Sequence, residues 1–308
     1  MKYAMVFPGQ GSQSVGMLGA LDAPEVAATF SEASSALGWD VATLVKSGPE
    51  AQLNRTEFTQ PALLAAGIAV WRVWRKQDQP SPVALAGHSL GEYTALVAAG
   101  SLEFADALKL VQLRGKLMQA AVPEGTGGMA AMIGLDDAGV EKLCAGFGGG
   151  VLEPVNYNAP GQIVVAGERA GLEWLEANAK AAGARMVMRL PVSVPSHCSL
   201  MKGAADKLAD RLAQVTVRSP SIPVHQNLDA KARANPDEIR RALHQQLFRP
   251  VRWTSTIQGL AQQGVGLFLE CGPGKVLTGL TKRIAPTTKF LALEDPAMHA
   301  QARSLIAS

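Results

Sequence analysis

The sequence predicts an α/β protein: a large domain built on a mostly parallel sheet, with a small ferredoxin-like βαββαβ domain inserted into it. Three observations carry that expectation. Hydrophobic residues make up 47% of the 308 residues while aromatics make up only 5%, and 31 glycines are present. Such a composition suits tightly packed α/β units better than a β-sandwich. Short apolar runs ending in glycine-containing turns alternate with helical patterns at both ends of the chain. Between them, from about Met129 to Leu190, the order of elements changes to β-α-β-β-α-β.

The first element is "YAMVF" (Tyr3 to Phe7), a short buried strand closed by a Pro-Gly turn. "PALLAAGIAVWRVWRK" (Pro61 to Lys76) reads as a buried helix with Pro61 at its start. "VALAG" (Val83 to Gly87) is the next strand, and the helix "EYTALVAAG" follows its turn. "FADALKLVQLRGKLMQAA" (Phe104 to Ala121) is a further helix with an apolar stripe.

In the inserted part, "MAAMIGL" reads as a strand and "DAGVEKLCAGF" as a helix. "VLEPVNY" and "QIVVAGE" read as strands joined by the turn "NAPG", then come the helix "LEWLEANAKAAG" and the strand "RMVMRL". "PEGTGG" marks the entry and "PVSVP" the exit. The expected division is therefore residues 1–126 and 196–308 for the large domain and 127–195 for the insert. Alternation then resumes with "GVGLFLE" as strand, "CGPG" as turn, "KVLTGLTKRI" as helix and "KFLALE" as strand.

Composition also excludes functions. The formal net charge is +3, too small an excess to imply nucleic-acid binding. Three cysteines without CxxC spacing argue against a disulfide framework or a zinc site, and no HExxH or EF-hand loop appears. The apolar run before Pro8 is too short for a signal-peptide core, and no stretch approaches the ~20 apolar residues of a membrane span. The expectation is a soluble cytoplasmic protein with no metal and no bound cofactor.

The chemistry centres on "GHSLGEY". Ser89 sits between Gly87 and Gly91 where a strand becomes a helix, the context of a nucleophile elbow. A helix N-cap serine is the plainer alternative. In an elbow, the N–H of Leu90 at the helix start would face a developing oxyanion. A serine nucleophile needs a base. Of five histidines, His88 adjoins Ser89 and should point away from it. His225 lies in the strand-like "IPVHQN", His244 on the helix "EIRRALHQQLF", and His299 in "PAMHAQA", which reads as a frayed terminal helix. His197, in "VSVPSHCSLM", lies where a proline-interrupted strand gives way to a helix, a loop position of the kind that gathers catalytic side chains.

Two further residues stand out. "PGQGSQ" (Pro8 to Gln13) fails as a dinucleotide fingerprint because Ser14 occupies its last glycine position. It is either a plain tight turn or a place where the Gln10 N–H supplies a second oxyanion donor. Arg114 interrupts the apolar stripe Ala107, Leu110, Val111, Leu117, Met118. A buried guanidinium requires an anion, and no acid lies within a helical turn of it. Its partner is either a distant acid or a bound carboxylate, which would fit its planar fork.

These motifs together resemble the malonyl-CoA:acyl carrier protein transacylases of bacterial type II fatty acid synthesis. The resemblance spans nearly the whole chain, through "FPGQGSQ", "GHSLGEY", "QLRGKLM", "NYNAPGQIV", "VPSHC", "QLFRPVRW" and "GPGKVLTGL". It implies a hydrolase-like α/β domain with the ferredoxin-like insert, and ping-pong transfer of malonyl from malonyl-CoA to an acidic, phosphopantetheinylated acyl carrier protein. It implies Ser89 as nucleophile, His197 as general base, Arg114 on the malonyl carboxylate, and the N–H groups of Gln10 and Leu90 as oxyanion donors. Gln246 corresponds to the glutamine whose main-chain carbonyl orients the histidine. Ser196, before His197, matches what free-standing enzymes of fatty acid synthesis commonly carry.

Two rival readings stand beside it. A serine hydrolase or thioesterase would order its triad as Ser89, Glu270, His299. The malonyl-transfer subunit of a malonate decarboxylase would share the same motifs. A carrier protein would dock on basic residues drawn from Lys116, Lys202, Arg249, Arg252, Lys275, Lys282 and Arg283, although most of these read as scattered solvated charge.

Overall fold

A computed structural model describes residues 1–192 and 194–307. The chain begins with β1 (Tyr3–Phe7), followed by α1 (Pro24–Leu37), α2 (Val41–Ser47), α3 (Glu50–Leu53) and α4 (Thr56–Arg75). Next come β2 (Ala84–Gly87), α5 (Gly91–Ala98) and α6 (Phe104–Gln119). A second group holds β3 (Gly127–Ile133), α7 (Asp137–Ala145), β4 (Leu152–Ala159), β5 (Gln162–Glu168), α8 (Arg169–Asn178) and β6 (Met186–Arg189). After it run α9 (Lys202–Gln214), β7 (Val224–His225), α10 (Pro236–Gln246), α11 (Trp253–Gln262), β8 (Leu267–Glu270), α12 (Val276–Ile284), β9 (Lys289–Ala292) and α13 (Pro296–Ala307).

The fold is mixed α/β with two separate sheets. The first has five strands in the order β7-β2-β1-β8-β9, every pair parallel. β1 and β2 are apolar without interruption, and β8 is so up to Glu270 at its end, because both faces of the sheet are covered. Alternation along β1 divides them: Tyr3, Met5 and Phe7 enter the core shared with α4, α5 and α6, while Ala4 and Val6 face Trp253, Ile257 and Leu277 of α11 and α12. The second sheet has four antiparallel strands in the order β4-β5-β3-β6. Val140 and Leu143 of α7 and Leu172 and Leu175 of α8 pack on one of its faces with Ala130, Met132, Ile163 and Val165. On the other face Met129, Ala131, Val155 and Val164 cluster with Cys198.

Tertiary contacts override three local expectations. Pro61 lies inside α4 rather than at its start. The turns before it are held from outside: Thr56, Thr59 and Gln60 are buried, and Gly115 of α6 approaches so closely that a Cβ there would sit 2.6 Å from the Thr56 carbonyl oxygen. The final helix is not frayed. His299 is buried, bonded to Gln77 Nε2 through Nδ1 and to the Leu293 carbonyl through Nε2, each at 2.8 Å. Among the described residues no strand runs through 190–196; His197 stands in a loop before a 3₁₀ turn at Ser199–Met201. Ser193 of the expected exit segment lies outside the described residues. Among the described residues no helix is long and apolar enough to cross a membrane.

Candidate active site

β1 and β2 run side by side in parallel, with Phe7 paired to Gly87, and both chains leave the sheet at the same end. Past Gly87 the chain must turn within three residues to start α5 at Gly91. Ser89 adopts φ +52° at the corner, a left-handed conformation that side-chain-bearing residues rarely take. The glycines are sterically required. A Cβ on Gly87 would sit 1.8 Å from the Gly91 carbonyl carbon, and one on Gly91 would sit 2.0 Å from the Phe7 carbonyl oxygen.

His197 reaches the corner from the opposite side, also at positive φ (+67°). Its main-chain N–H is anchored to the Leu247 carbonyl at 3.0 Å. Its Nδ1 lies 2.6 Å from the Gln246 main-chain carbonyl oxygen. A carbonyl only accepts, so Nδ1 carries the proton. Nε2 of the neutral ring is then an acceptor, and it lies 2.8 Å from Ser89 Oγ. Burial pushes the imidazole pKa down to about 3, and the Arg114 charge pushes in the same direction.

Arg114 projects from α6 into the same space and is buried. Its Nη1 donates to Gln60 Oε1 at 2.8 Å, and its Nη2 to Gln246 Oε1 at 3.0 Å and Ser89 Oγ at 3.2 Å. The guanidinium lies over the Tyr93 ring, 5.4 Å from its centroid. Among the described residues these three hydrogen bonds go to neutral groups, and Nε has no hydrogen-bond partner. Gln246 joins three parts of the site. Its carbonyl holds His197, its Oε1 holds Arg114, and its Nε2 donates to the Ser89 carbonyl at 2.9 Å.

A cavity of about 190 Å³ opens in front of Ser89, between the two sheets. Gln10, Leu90, Arg114 and His197 line it, together with Met129 of β3, Asn156 of β4 and Leu190 just after β6. Gln10 is held by its side chain, whose Oε1 accepts from Thr56 Oγ1 at 2.8 Å.

Five of the six expected site residues, Ser89, His197, Arg114, Gln10 and Leu90, line this one cavity, and Gln246 braces it from behind. His88 adjoins the cavity, with its ring turned to Asn158 and Trp253, neither of which lines it. Its Nε2 bonds to Asn158 Oδ1 at 2.8 Å, and its ring packs edge-on against Trp253. The Ser89-Glu270-His299 triad does not form. Glu270 accepts the N–H groups of Leu277 and Thr278 at the start of α12, and both ring nitrogens of His299 are taken by Gln77 and Leu293. His244 pairs with Asp206 and His225 bonds to the Ala230 carbonyl. Of the basic residues, Lys202 pairs with Asp206, Arg283 bonds Gln162, and Arg252 stacks on Tyr157.

The profile of the acyl transferase domain family matches residues 4–288. The chain belongs to the acyl transferase family. It is 55% identical over 307 residues to the malonyl CoA-acyl carrier protein transacylase of Escherichia coli K12, covering 99% of each chain. Among solved structures, the malonyl CoA-acyl carrier protein transacylase of Coxiella burnetii superposes with a TM-score of 0.98 at 46% identity, over 100% of this chain and 98% of that one. A malonyl-transacylase in complex with its type II PKS acyl-carrier protein gives 0.97 at 52% identity, over 99% and 100%.

Sequence reasoning missed several polar residues in this acyl transferase. Glu92 is fully buried, and burial raises its carboxyl pKa to about 7. A readable signal existed, since Glu92 opens the otherwise apolar helix "EYTALVAAG". Gln60 and Asn227 gave none, because their partners are distant in sequence.

Proposed function

We propose that this acyltransferase moves malonyl from malonyl-CoA to the phosphopantetheine thiol of an acyl carrier protein through a malonyl-Ser89 intermediate. It works in the cytoplasm and supplies fatty acid elongation. The observation that carries the reading is that Ser89 Oγ is shared between His197 Nε2 at 2.8 Å and Arg114 Nη2 at 3.2 Å. A hydroxyl poised on a neutral base, beside a guanidinium that makes no salt bridge among the described residues, suits an acyl group that carries a carboxylate.

In the first half-reaction, Ser89 Oγ attacks the thioester carbonyl carbon as His197 Nε2 takes its proton. The N–H groups of Gln10 and Leu90 hold the oxyanion. Collapse breaks the C–S bond, and the coenzyme A thiolate takes the proton from His197. In the second, the carrier thiol gives its proton to His197 and its sulfur attacks the ester carbonyl. Collapse returns the proton to Ser89. Gln246 keeps the imidazole in the tautomer this requires, without a carboxylate behind it. Arg114 grips the malonyl carboxylate throughout.

The relatives' names favour an acyl carrier protein as acceptor over the carrier of a decarboxylase. We also infer that residues 127–195 are a ferredoxin-like subdomain inserted between 1–126 and 196–308, supported by the order β4-β5-β3-β6 with α7 and α8 on one face. The deciding experiment is incubation with malonyl-CoA followed by intact mass, then addition of holo acyl carrier protein. A malonyl ester on the enzyme that disappears as malonyl-carrier forms is the expected result. An unmodified enzyme, or malonate released to water, would sink the reading.

A further inference from the structure

The left-handed corner at Ser89 is held by Gln246 at the Ser89 carbonyl and, from the loop after β7, by a side chain that bridges the bend. Asn227 is buried. Its Oδ1 accepts the Ser89 N–H at 2.7 Å, and its Nδ2 donates to the Gly87 carbonyl at 2.6 Å. One amide thus bridges the residues on either side of His88, across the bend. Asn227 is itself fixed at both ends of its main chain. Its N–H donates to Glu92 Oε2 at 2.7 Å, and its carbonyl accepts from the Arg252 N–H at 2.9 Å. Glu92 stands on the first turn of α5, so strand end, corner and helix start are tied to one another through Asn227.

We infer that Asn227, seated by Glu92, is a positioning residue that holds Ser89 in its reactive left-handed conformation and so aims the Leu90 N–H into the cavity. The inference rests on Ser89 being the nucleophile. The amide is matched to the task, since the Ser89 N–H donates and the Gly87 carbonyl accepts, and an asparagine side chain answers both at once. Without it the corner relaxes from its unfavourable φ, and both Oγ and the oxyanion donor shift. A displacement of about 1 Å at a reacting centre can cost about 10²-fold in rate.

The test is Asn227→Ala, with Ser89→Ala alongside. Acyl-enzyme formation is followed at varied malonyl-CoA, and labelling by a neutral fluorophosphonate probe is timed. The probe needs the serine and the oxyanion hole but no carboxylate grip. We expect the maximal acylation rate of Asn227→Ala to fall about 10²-fold, KM to stay within a few-fold, and probe labelling to fall by the same factor as acylation. Acylation at the parent rate would overturn the inference, as would slow acylation with unchanged probe labelling, which would put the defect in substrate binding. If Asn227→Ala fails to fold, Asn227→Asp keeps the acceptor for Ser89 and loses the donor to Gly87. Parent-like labelling there overturns the inference, and slowed labelling in a folded variant supports it. An acylated Ser89→Ala would instead bring down the nucleophile assignment itself.

Discussion

Arg114 Nη2 donates to Ser89 Oγ at 3.2 Å, although the same hydroxyl lies 2.8 Å from His197 Nε2. On the proposed mechanism the hydroxyl becomes anionic and the imidazole cationic, so a positive charge beside both pulls in two directions. It stabilises the alkoxide and opposes the imidazolium. A carboxylate arriving at Arg114 takes up that charge.

Ser89→Ala is expected to remain folded and to acquire no malonyl ester. Alanine keeps the corner's main-chain bonds to Asn227 and Gln246 and loses only the hydroxyl. Intact mass after incubation with malonyl-CoA checks it, and a malonylated variant would exclude Ser89 as the nucleophile.

Gly91→Ala is expected to damage both stability and chemistry. Its Cβ would sit 2.0 Å from the Phe7 carbonyl oxygen, which belongs to a central strand and has no room to move. Overpacking of this kind costs about 1–3 kcal/mol, and relief by shifting α5 would displace the Leu90 N–H. Urea denaturation with acylation kinetics tests this. A variant with parent stability and rate would show that the elbow tolerates what its geometry forbids.

The sequence read most directly where pattern and sterics are local. β1 (Tyr3–Phe7) and β5 (Gln162–Glu168) appear at the bounds expected of them, because a buried strand between turn residues has few alternatives. The elbow was legible for the same reason, as two glycines flank a serine where a strand becomes a helix. Arg114 was visible as a charge in an apolar stripe. What could not be read were relations between distant segments, such as Asn227 with Ser89, Gln60 with Arg114, and the docking of His299 against Gln77. No periodicity encodes a hydrogen bond across the fold. Pro61 misled for a related reason, since packing against Gly115 extends the helix past the signal that ordinarily opens one.

The stability of the enzyme should respond to His197 in a definite pH window. Its pKa is about 3 in the folded chain against an ordinary 6.5. Between those values the unfolded chain binds more protons, so the contribution is complete above pH 6.5 and is lost as pH falls toward 3. Between pH 7 and pH 5 the melting temperature of the parent should fall more than that of His197→Gln. Parallel curves would show that the imidazole is not held neutral.

Glu92 should act in the opposite sense. Its carboxyl pKa is raised from 4.5 to about 7 by burial, so the folded chain binds more protons in that window. Its contribution is complete below pH 4.5 and is lost as pH rises to about 7. Glu92→Gln keeps an acceptor for the Asn227 N–H and removes the charge. The variant should gain in melting temperature relative to the parent between pH 5 and pH 8. A relative loss over that range would mean that the buried carboxylate is stabilised as an anion.

The last expectation concerns substrate choice. With no acid bonded to Arg114 among the described residues, its charge holds down the basicity of His197. Malonyl brings a carboxylate, pairs with the guanidinium and lifts that restraint when the reacting carbonyl is in place. Acetyl brings none, and it leaves the charge buried and the base weak. Leaving one partner of a buried pair uncompensated costs ~3–5 kcal/mol, so malonyl should be preferred over acetyl by roughly two to four orders of magnitude. Arg114→Ala removes both the grip and the restraint. Malonyl-enzyme formation should fall steeply, while acetyl-enzyme formation should be unchanged or faster. Acylation rates for the parent and variant with malonyl-CoA and acetyl-CoA decide the matter. Equal losses for the two substrates would make Arg114 a packing residue and leave the selection of a charged acyl group to some other part of the cavity.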